Sequence, residues 1–277
     1  LVAIQVQNNL HFCPSLQSLT ITFSPNIDVM ATISTLSLLT ALSIQVLSPD
    51  LLPYFADLHR LELLNVDYRI YNQDVDVEPI MLLTRLTALA IKSYTKVTGM
   101  DKISNLTNLH SLNLIARNVQ NINASDIIAL KKLTTLAWQL PTKFFCSKMT
   151  QLRELHLNPQ GTQILGFNLP LITSLAIRDS DANYFWWCVS TLTSLRVLTL
   201  YNVMDDTRVL HLTTLQRLTN LKCLNQRCKG YFMTALTRLQ WFSFSRPVKW
   251  SQQFVKEVET KLPFLEGYEI SKPSRTY

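Results

Sequence analysis

Apolar residues recur along this chain in a fixed relation, L-x-x-L-x-L, with Ile, Phe, Tyr, Trp or a rare polar residue in an apolar slot. The pattern starts at Leu16, Leu39, Leu58, Leu86, Leu109, Leu133, Leu152, Ile172, Leu195, Leu221, Leu239 and Leu265. These twelve starts lie 18 to 28 residues apart, a period typical of stacked-repeat architectures. Residues 1–15 contain LVAIQV, only 15 residues ahead of Leu16, and read as a partial or damaged first repeat. Residues 16–270 hold the twelve repeats and 271–277 form a tail.

The L-x-L core of the template has period 2, which predicts a short strand with one buried face. Helical spacing lies between some strands. In Asp206–Leu218, Val209, Leu212, Leu215 and Leu218 share a side, with acids at the start and Arg217 at the end, as a helix dipole prefers. In Ser251–Leu262, Ser251 can cap a helix whose Phe254, Val255, Val258 and Leu262 face inward. One strand-plus-helix unit cannot bury its apolar face alone. Stacked units can, in a parallel array, so residues 1–277 are expected to form a single domain.

The run of L-x-x-L-x-L motifs over residues 16–270 resembles the leucine-rich-repeat family. The resemblance implies an α/β solenoid, a horseshoe of about twelve strand–helix repeats with a parallel sheet on its concave face. Family members often carry Asn or Cys three residues after the last strand leucine. Here the first four such positions read Ser24, Leu47, Val66 and Tyr94, and none of the twelve is Asn or Cys. Without that ladder the inter-repeat turns are expected to be irregular. Six repeats carry Thr ahead of the strand (Thr84, Thr107, Thr150, Thr193, Thr219, Thr237) and three carry Pro (Pro14, Pro170, Pro263). Thr can bond turn or helix-end backbone, and Pro can stop a helix before the strand. The P-x-L-x-x-L-x-L form is similar to repeats that follow F-box motifs in ubiquitin-ligase receptors, and the Leu-Thr-x-Leu form to many protist and bacterial repeats. No F-box segment is recognisable.

Composition narrows the function. The 277 residues are 47% hydrophobic and 16% charged with only 5 Gly, which excludes a disordered or collagen-like chain and leaves little for phosphate-cradling loops. No run of eighteen apolar residues predicts a spanning helix. Net charge is +7 but uneven: 2 basic and 8 acidic residues in 1–84, 12 and 7 in 85–207, 12 and 4 in 208–277. Such asymmetry suits electrostatic steering of a partner. Five cysteines without a CxxC fit a reducing compartment, and a cytoplasmic location is expected. A start at Leu1 rather than Met reads as an excised or processed form.

Catalytic constellations are hard to find. The five histidines form no HExxH or zinc spacing, and no GxSxG, Walker loop or GxGxxG occurs. Cys223 and Cys228 read as structural thiols, and the acidic run Asp74, Asp76, Glu78 as a solvated insertion rather than a calcium loop, whose glycine it lacks. No enzyme activity, cofactor or metal is expected. The outward strand positions are more informative. Early repeats present Ser18, Thr20, Ala41 and Ser43, whereas repeats seven to eleven present Glu154, His156, Asn158, Arg178, Tyr201, Arg227 and Trp241, with Arg153, Arg196 and Arg246 beside them. Arginines interleaved with large aromatics are the composition of binding hot spots. Trp187 in YFWWC marks a second, weaker candidate surface, set against simple core packing of that cluster. The expected function is a non-enzymatic protein-binding module whose partner meets the concave face of repeats seven to eleven. The finer expectation is the substrate-recognition part of a ubiquitin-ligase receptor. The alternatives are the sensing domain of an immune-type or surface receptor, and a basic nucleic-acid-binding solenoid suggested by pI ≈ 9.2.

Overall fold

Every repeat begins with a tight turn. The N–H of the residue opening the template reaches the carbonyl three residues back, as in Leu16→Cys13 (3.1 Å), Leu39→Leu36 (3.0 Å), Leu133→Leu130 (3.1 Å), Leu195→Leu192 (3.0 Å) and Leu265→Leu262 (3.1 Å). The residue three back is itself apolar and buried in eleven of the twelve repeats, from Leu36 and Leu58 to Leu236 and Leu262. The full motif is therefore L-x-x-L-x-x-L-x-L. Pro14, Pro170 and Pro263 hold the second position of this turn, where a fixed φ near −65° is already correct. All three shape these turns, and Pro263 also comes just after the helix Gln252–Lys261.

The extra period-3 slot shifts two repeats. Expected from Leu58, the third strand should centre on Leu61 and Leu63. It instead aligns Leu64 with Leu42 and Leu89, and Val66 with Ile44 and Ile91. Leu63 points outward, 48% exposed. Expected from Leu221, the tenth strand should centre on Leu224. It instead aligns Leu221 with Leu198 and Cys223 with Leu200. The corrected starts are Leu61 and Leu218, which narrows the intervals to 19–26 residues. A chain of leucines three apart matches the template in two frames, and burial selects one.

The computed structural model describes residues 13–71, 73–120, 122–139, 144–145, 148–157, 164–165, 169–178, 189–201, 213–224, 235–244 and 252–270. It divides into two units, Leu1–Pro141 and Thr142–Tyr277. The first holds β1 (Ser18–Ile21), β2 (Ala41–Val46), β3 (Leu63–Tyr68), β4 (Val75–Asp76), β5 (Ala88–Thr98), β6 (Ser111–Val119) and β7 (Thr135–Gln139). They pair in parallel in the order β1-β2-β3-β5-β6-β7, with β4 on the far end of β5. The second unit holds β8 (Phe144–Phe145), β9 (Glu154–Leu157), β10 (Ile164–Leu165), β11 (Ser174–Arg178), β12 (Val197–Tyr201), β13 (Asn220–Leu224), β14 (Trp241–Phe244) and β15 (Gly267–Ile270). There β9-β11-β12-β13-β14-β15 pair in parallel, and β8 pairs with β10.

One carbonyl per repeat ties neighbours together at the amino ends of the strands. Gln17 O accepts from Thr40 N (2.8 Å) and Ala41 N (3.0 Å), and Arg196 O from Thr219 N (2.9 Å) and Asn220 N (3.0 Å). The same double bond recurs at ten junctions among the described residues. In five of them a threonine hydroxyl adds a third donor: Thr40 to Gln17 O, Thr87 to Glu62 O, Thr134 to His110 O, Thr173 to Arg153 O and Thr219 to Arg196 O, at 3.0–3.3 Å. The junctions at the amino ends of the strands are thus regular. At the other strand end Ser24 Oγ, at the position where the family pattern has Asn or Cys, accepts from Leu47 N of the next repeat (3.0 Å).

The apolar slots stack into the core. Leu112 and Leu198 are 0% exposed, and Asn113 beside Leu112 lies on the other face, so the assignment of faces holds. Behind the sheet of the first unit run α1 (Ile27–Ser34), α2 (Ala124–Ile128) and 3-10 turns at Pro49–Asp57, Glu78–Leu82 and Met100–Asn105. Asn26 caps α1 by accepting from Val29 N (2.9 Å). The strand-plus-helix expectation is met by tighter, shorter helices here, because segments of about 20 residues leave little chain after turn and strand. In the second unit, α3 (Gln252–Lys261) occupies the helix expected at Ser251–Leu262, with Val258 and Leu262 buried. The expected helix at Asp206–Leu218 lies mostly outside the described residues, and its Leu215 and Leu218 belong to the buried turn slots. The acidic run is held to the sheet: Asp74 pairs with Lys96 (3.0 Å), Glu78 pairs with Lys102, and Asp76 accepts from Glu78 N (3.1 Å).

Candidate interaction face

Strand residues at template positions 3, 5, 7 and 9 face away from the core, and in register they form rows that cross the strands. In the first unit rows 3 and 5 are small: Ser18, Ala41, Ala88 and Ser111, then Thr20, Ser43, Ala90 and Asn113. With Leu63 and Asn65 they floor a shallow trough of about 340 Å³ across β1, β2, β3, β5 and β6. Asn65 donates to Ser43 Oγ (3.1 Å), while Asn113 Oδ1 is buried without a hydrogen-bond partner.

Rows 7 and 9 raise a wall on the carboxyl side of this floor. Asp67 Oδ2 receives Arg69 Nε (3.2 Å) and Lys92 Nζ (3.6 Å), and Asp67 Oδ1 is buried and unpartnered. With the Gln45 amide oriented to satisfy both its atoms, its oxygen accepts from Arg69 Nη2 (3.2 Å) and its nitrogen donates to Thr22 O (2.9 Å). Lys92 Nζ lies 5.1 Å from the centre of the Tyr94 ring, and Tyr94 stacks on exposed Tyr71 at 6.0 Å. The Tyr94 side chain raises the Lys92 pKa most; burial opposes it, and the Asp67 carboxylate adds a lesser rise. Sequence reading missed this cluster. Framed from Leu58, the outward positions are Arg60, Glu62 and Leu64; framed correctly from Leu61, they are Leu63, Asn65, Asp67 and Arg69.

The residues singled out by sequence fall in the second unit, and the structure separates them into two groups. Arg153 and Arg196 are exposed at the amino ends of β9 and β12, both at template position 2 and two strands apart. Trp241 opens β14 nearby, in register with Asn220 and Gly267. Its indole is 38% exposed and lies flat against Gly267, where an added Cβ would come within 2.7 Å of the ring. Asn220 Oδ1, next to Trp241 in row 3, is buried without a partner. At the opposite strand ends, Arg178 and half-buried Tyr201 pair in register. Five residues of strand, about 17 Å, lie between these groups. His156 is exposed mid-strand beside Ala176, and Lys222 takes the row-5 place in the tenth repeat. The side chain of Arg178, all of Arg227 and Arg246, and Trp187 lie outside the described residues.

Cys13 is a free, half-buried thiol and Cys223 is buried in the core, and no group of three or more His, Cys, Asp or Glu is gathered among the described residues. No helix among them is long and apolar enough to cross a membrane.

The sequence matches no family model, and no curated protein is similar to it in sequence. Solved structures are similar in fold. The functional domain of InlJ from Listeria monocytogenes shares 20% identity over 96% of this chain and 55% of its own, with a TM-score of 0.52. A plant peptide hormone receptor, RGFR1, solved in complex with RGF2, shares 18% identity over 93% of this chain and 42% of its own, with a TM-score of 0.53. A leucine-rich-repeat protein from Leptospira interrogans shares 16% identity over 96% and 81%, with a TM-score of 0.48. Motif, parallel register and the likenesses to InlJ and RGFR1 together make the fold a leucine-rich-repeat solenoid.

Proposed function

We propose that the chain is a non-enzymatic protein-interaction module that offers the uncovered face of its parallel sheet to a protein partner. The observation that carries the proposal is the face itself: one side of the strands of the long sheet is packed into the core, while the other presents polar side chains, with charged and aromatic ones among them, on a backbone already ordered. Such a surface binds with little further loss of conformational freedom. RGFR1, similar in fold, was solved with a partner, RGF2.

Repeats seven to eleven are proposed as the main contact, with Arg153, His156, Arg178, Arg196, Tyr201, Arg227, Trp241 and Arg246 contributing. Trp241 would be the anchor and the arginines would steer approach. Among the described residues, Thr173 and Thr219 interrupt the basic side chains of row 2, and Ala176, Thr199 and Ser243 those of row 5. This pattern favours a protein over a nucleic-acid backbone, which calls for a continuous basic stripe. The finer role of substrate recognition for a ubiquitin ligase is supported only by the Pro-x-Leu turns at Pro14, Pro170 and Pro263. An F-box encoded beside this segment in its gene would advance that role, and a signal sequence there would replace it with the surface-receptor reading.

The test compares partners captured from lysate by the wild type and by a Tyr201/Trp241 double alanine variant of equal melting temperature. Selective loss of a protein supports the proposal. Unchanged capture removes the contact from this face, and release of everything by nuclease replaces it with nucleic-acid binding. Gly267→Ala, which must push the indole aside, should reduce the same capture without deleting Trp241.

A further inference from the structure

We infer that the trough of the first unit is a separate docking site for an extended peptide segment bearing an acidic side chain. The inference keeps the interaction-module reading but rests on other residues than the proposed contact in repeats seven to eleven.

Shape argues for an extended main chain. The floor crosses five strands, four spacings of about 4.8 Å, or about 19 Å, which six extended residues span at about 3.3 Å each. Ser43, Ala90 and Ser111 are too small to hold a ligand backbone away from the sheet, and Leu63 rises from the floor as the one large apolar contact. Asn113 Oδ1 needs a donor that the protein does not supply, and a small amide rotation would offer it to a peptide N–H.

Charge argues for an acidic side chain. Among the described side chains the wall carries two cations, Arg69 and Lys92, against one carboxylate, Asp67, and the floor beside it is uncharged. The two cations share Asp67 Oδ2, and Gln45 takes only one further guanidinium donor, so Arg69 keeps N–H groups for a second carboxylate. The nearest other acids of the insertion, Asp74 and Glu78, are engaged by Lys96 and Lys102. The Tyr71–Tyr94 stack closes that end of the wall with an aromatic surface against which the bound chain can pack.

A random heptapeptide library displayed on phage, selected against the full chain, tests the inference without a known partner. The expected result is enrichment of peptides containing Asp or Glu. Their binding should fall about tenfold or more in Ala90→Trp, which fills the floor, and in Arg69→Gln, with a weaker salt dependence in the latter. Trp241→Ala should leave it unchanged. The inference is overturned by no enrichment over a blank surface, by enrichment of basic or uncharged sequences, by peptides indifferent to Arg69→Gln, or by loss of their binding in Trp241→Ala. If Ala90→Trp fails to fold, the exposed Arg69→Gln decides alone. Failure of the lysate capture beside successful peptide selection would remove the contact in repeats seven to eleven and leave the trough standing.

Discussion

The two units follow the same core pattern and have different faces. Inside, both stack the same apolar slots, and Leu112 of the first unit and Leu198 of the second are equally hidden. Outside, the first unit lines its floor with Ser, Thr, Ala and Asn and couples its charges across rows through Asp67. The second sets exposed Arg153, Arg196 and Trp241 along the amino ends of its strands. Net charge follows: residues 1–141 hold 9 basic and 10 acidic residues, and residues 142–277 hold 17 and 9. A core position must be apolar and of one size to stack on its neighbours, whereas an outward position answers only to solvent and partner. Repeats related by one packing rule can therefore carry unrelated binding chemistry.

The claim of equal cores is the one that substitution tests hardest. Leu112→Ala and Leu198→Ala should each lower stability by about 2–5 kcal/mol in urea denaturation, since both empty a filled slot. A loss below about 1 kcal/mol in either unit would show that its repeats are packed more loosely. Next in size is Trp241→Ala, which should weaken the partner of the second unit by about 2 kcal/mol in a titration. An equal effect on peptides selected for the trough would dissolve the distinction between the faces.

Tyr68 sharpens the comparison within the first unit. It is wholly buried on the core side of β3, its hydroxyl has no hydrogen-bond partner, and burial pushes its pKa well above the usual tyrosine range. Tyr68→Phe should raise stability by about 1–2 kcal/mol at neutral pH, because an unmet buried polar group is removed. The unfolded chain ionises Tyr68 near pH 10, before the folded one can. Its contribution to stability is thus independent of pH below about pH 10, and stability falls as pH rises above it. Alkaline titration of the melting temperature should show a shallower fall in Tyr68→Phe. The smallest effect expected is at the junction ladder. Thr87→Val and Thr219→Val remove one hydroxyl donor in each unit and should each cost about 1 kcal/mol. Unequal losses would mean that the repeats are joined differently in the two units.

Much of the fold was legible because leucine spacing and core packing express the same constraint. The strands, their parallel order and the burial of Leu112 and Leu198 follow from the template alone. Two strands were misplaced where Leu58–Leu61–Leu64 and Leu218–Leu221–Leu224 admit a slip of three residues. Thr219 was marked as able to bond turn backbone, Thr87 was not, and only the register showed both hydroxyls meeting the carbonyl of the preceding repeat. The candidate site was less legible. Trp241 was recognisable as an outward residue and Arg153 and Arg196 as neighbours of outward residues, but their separation from Arg178 and Tyr201 depends on which end of a strand each occupies.

The sequence by itself determined the repeating unit, its strand and its buried stripe, since these depend on residues within nine positions of one another. Only the tertiary structure decided the frame at Leu61 and Leu218, the tight turns in place of several helices, and the meeting of Asp67, Arg69, Lys92 and Tyr94. The last three come from two repeats, and their neighbour Gln45 from a third. No local pattern records such a meeting, because hydrogen bonding between whole strands sets the register that brings distant positions into one row.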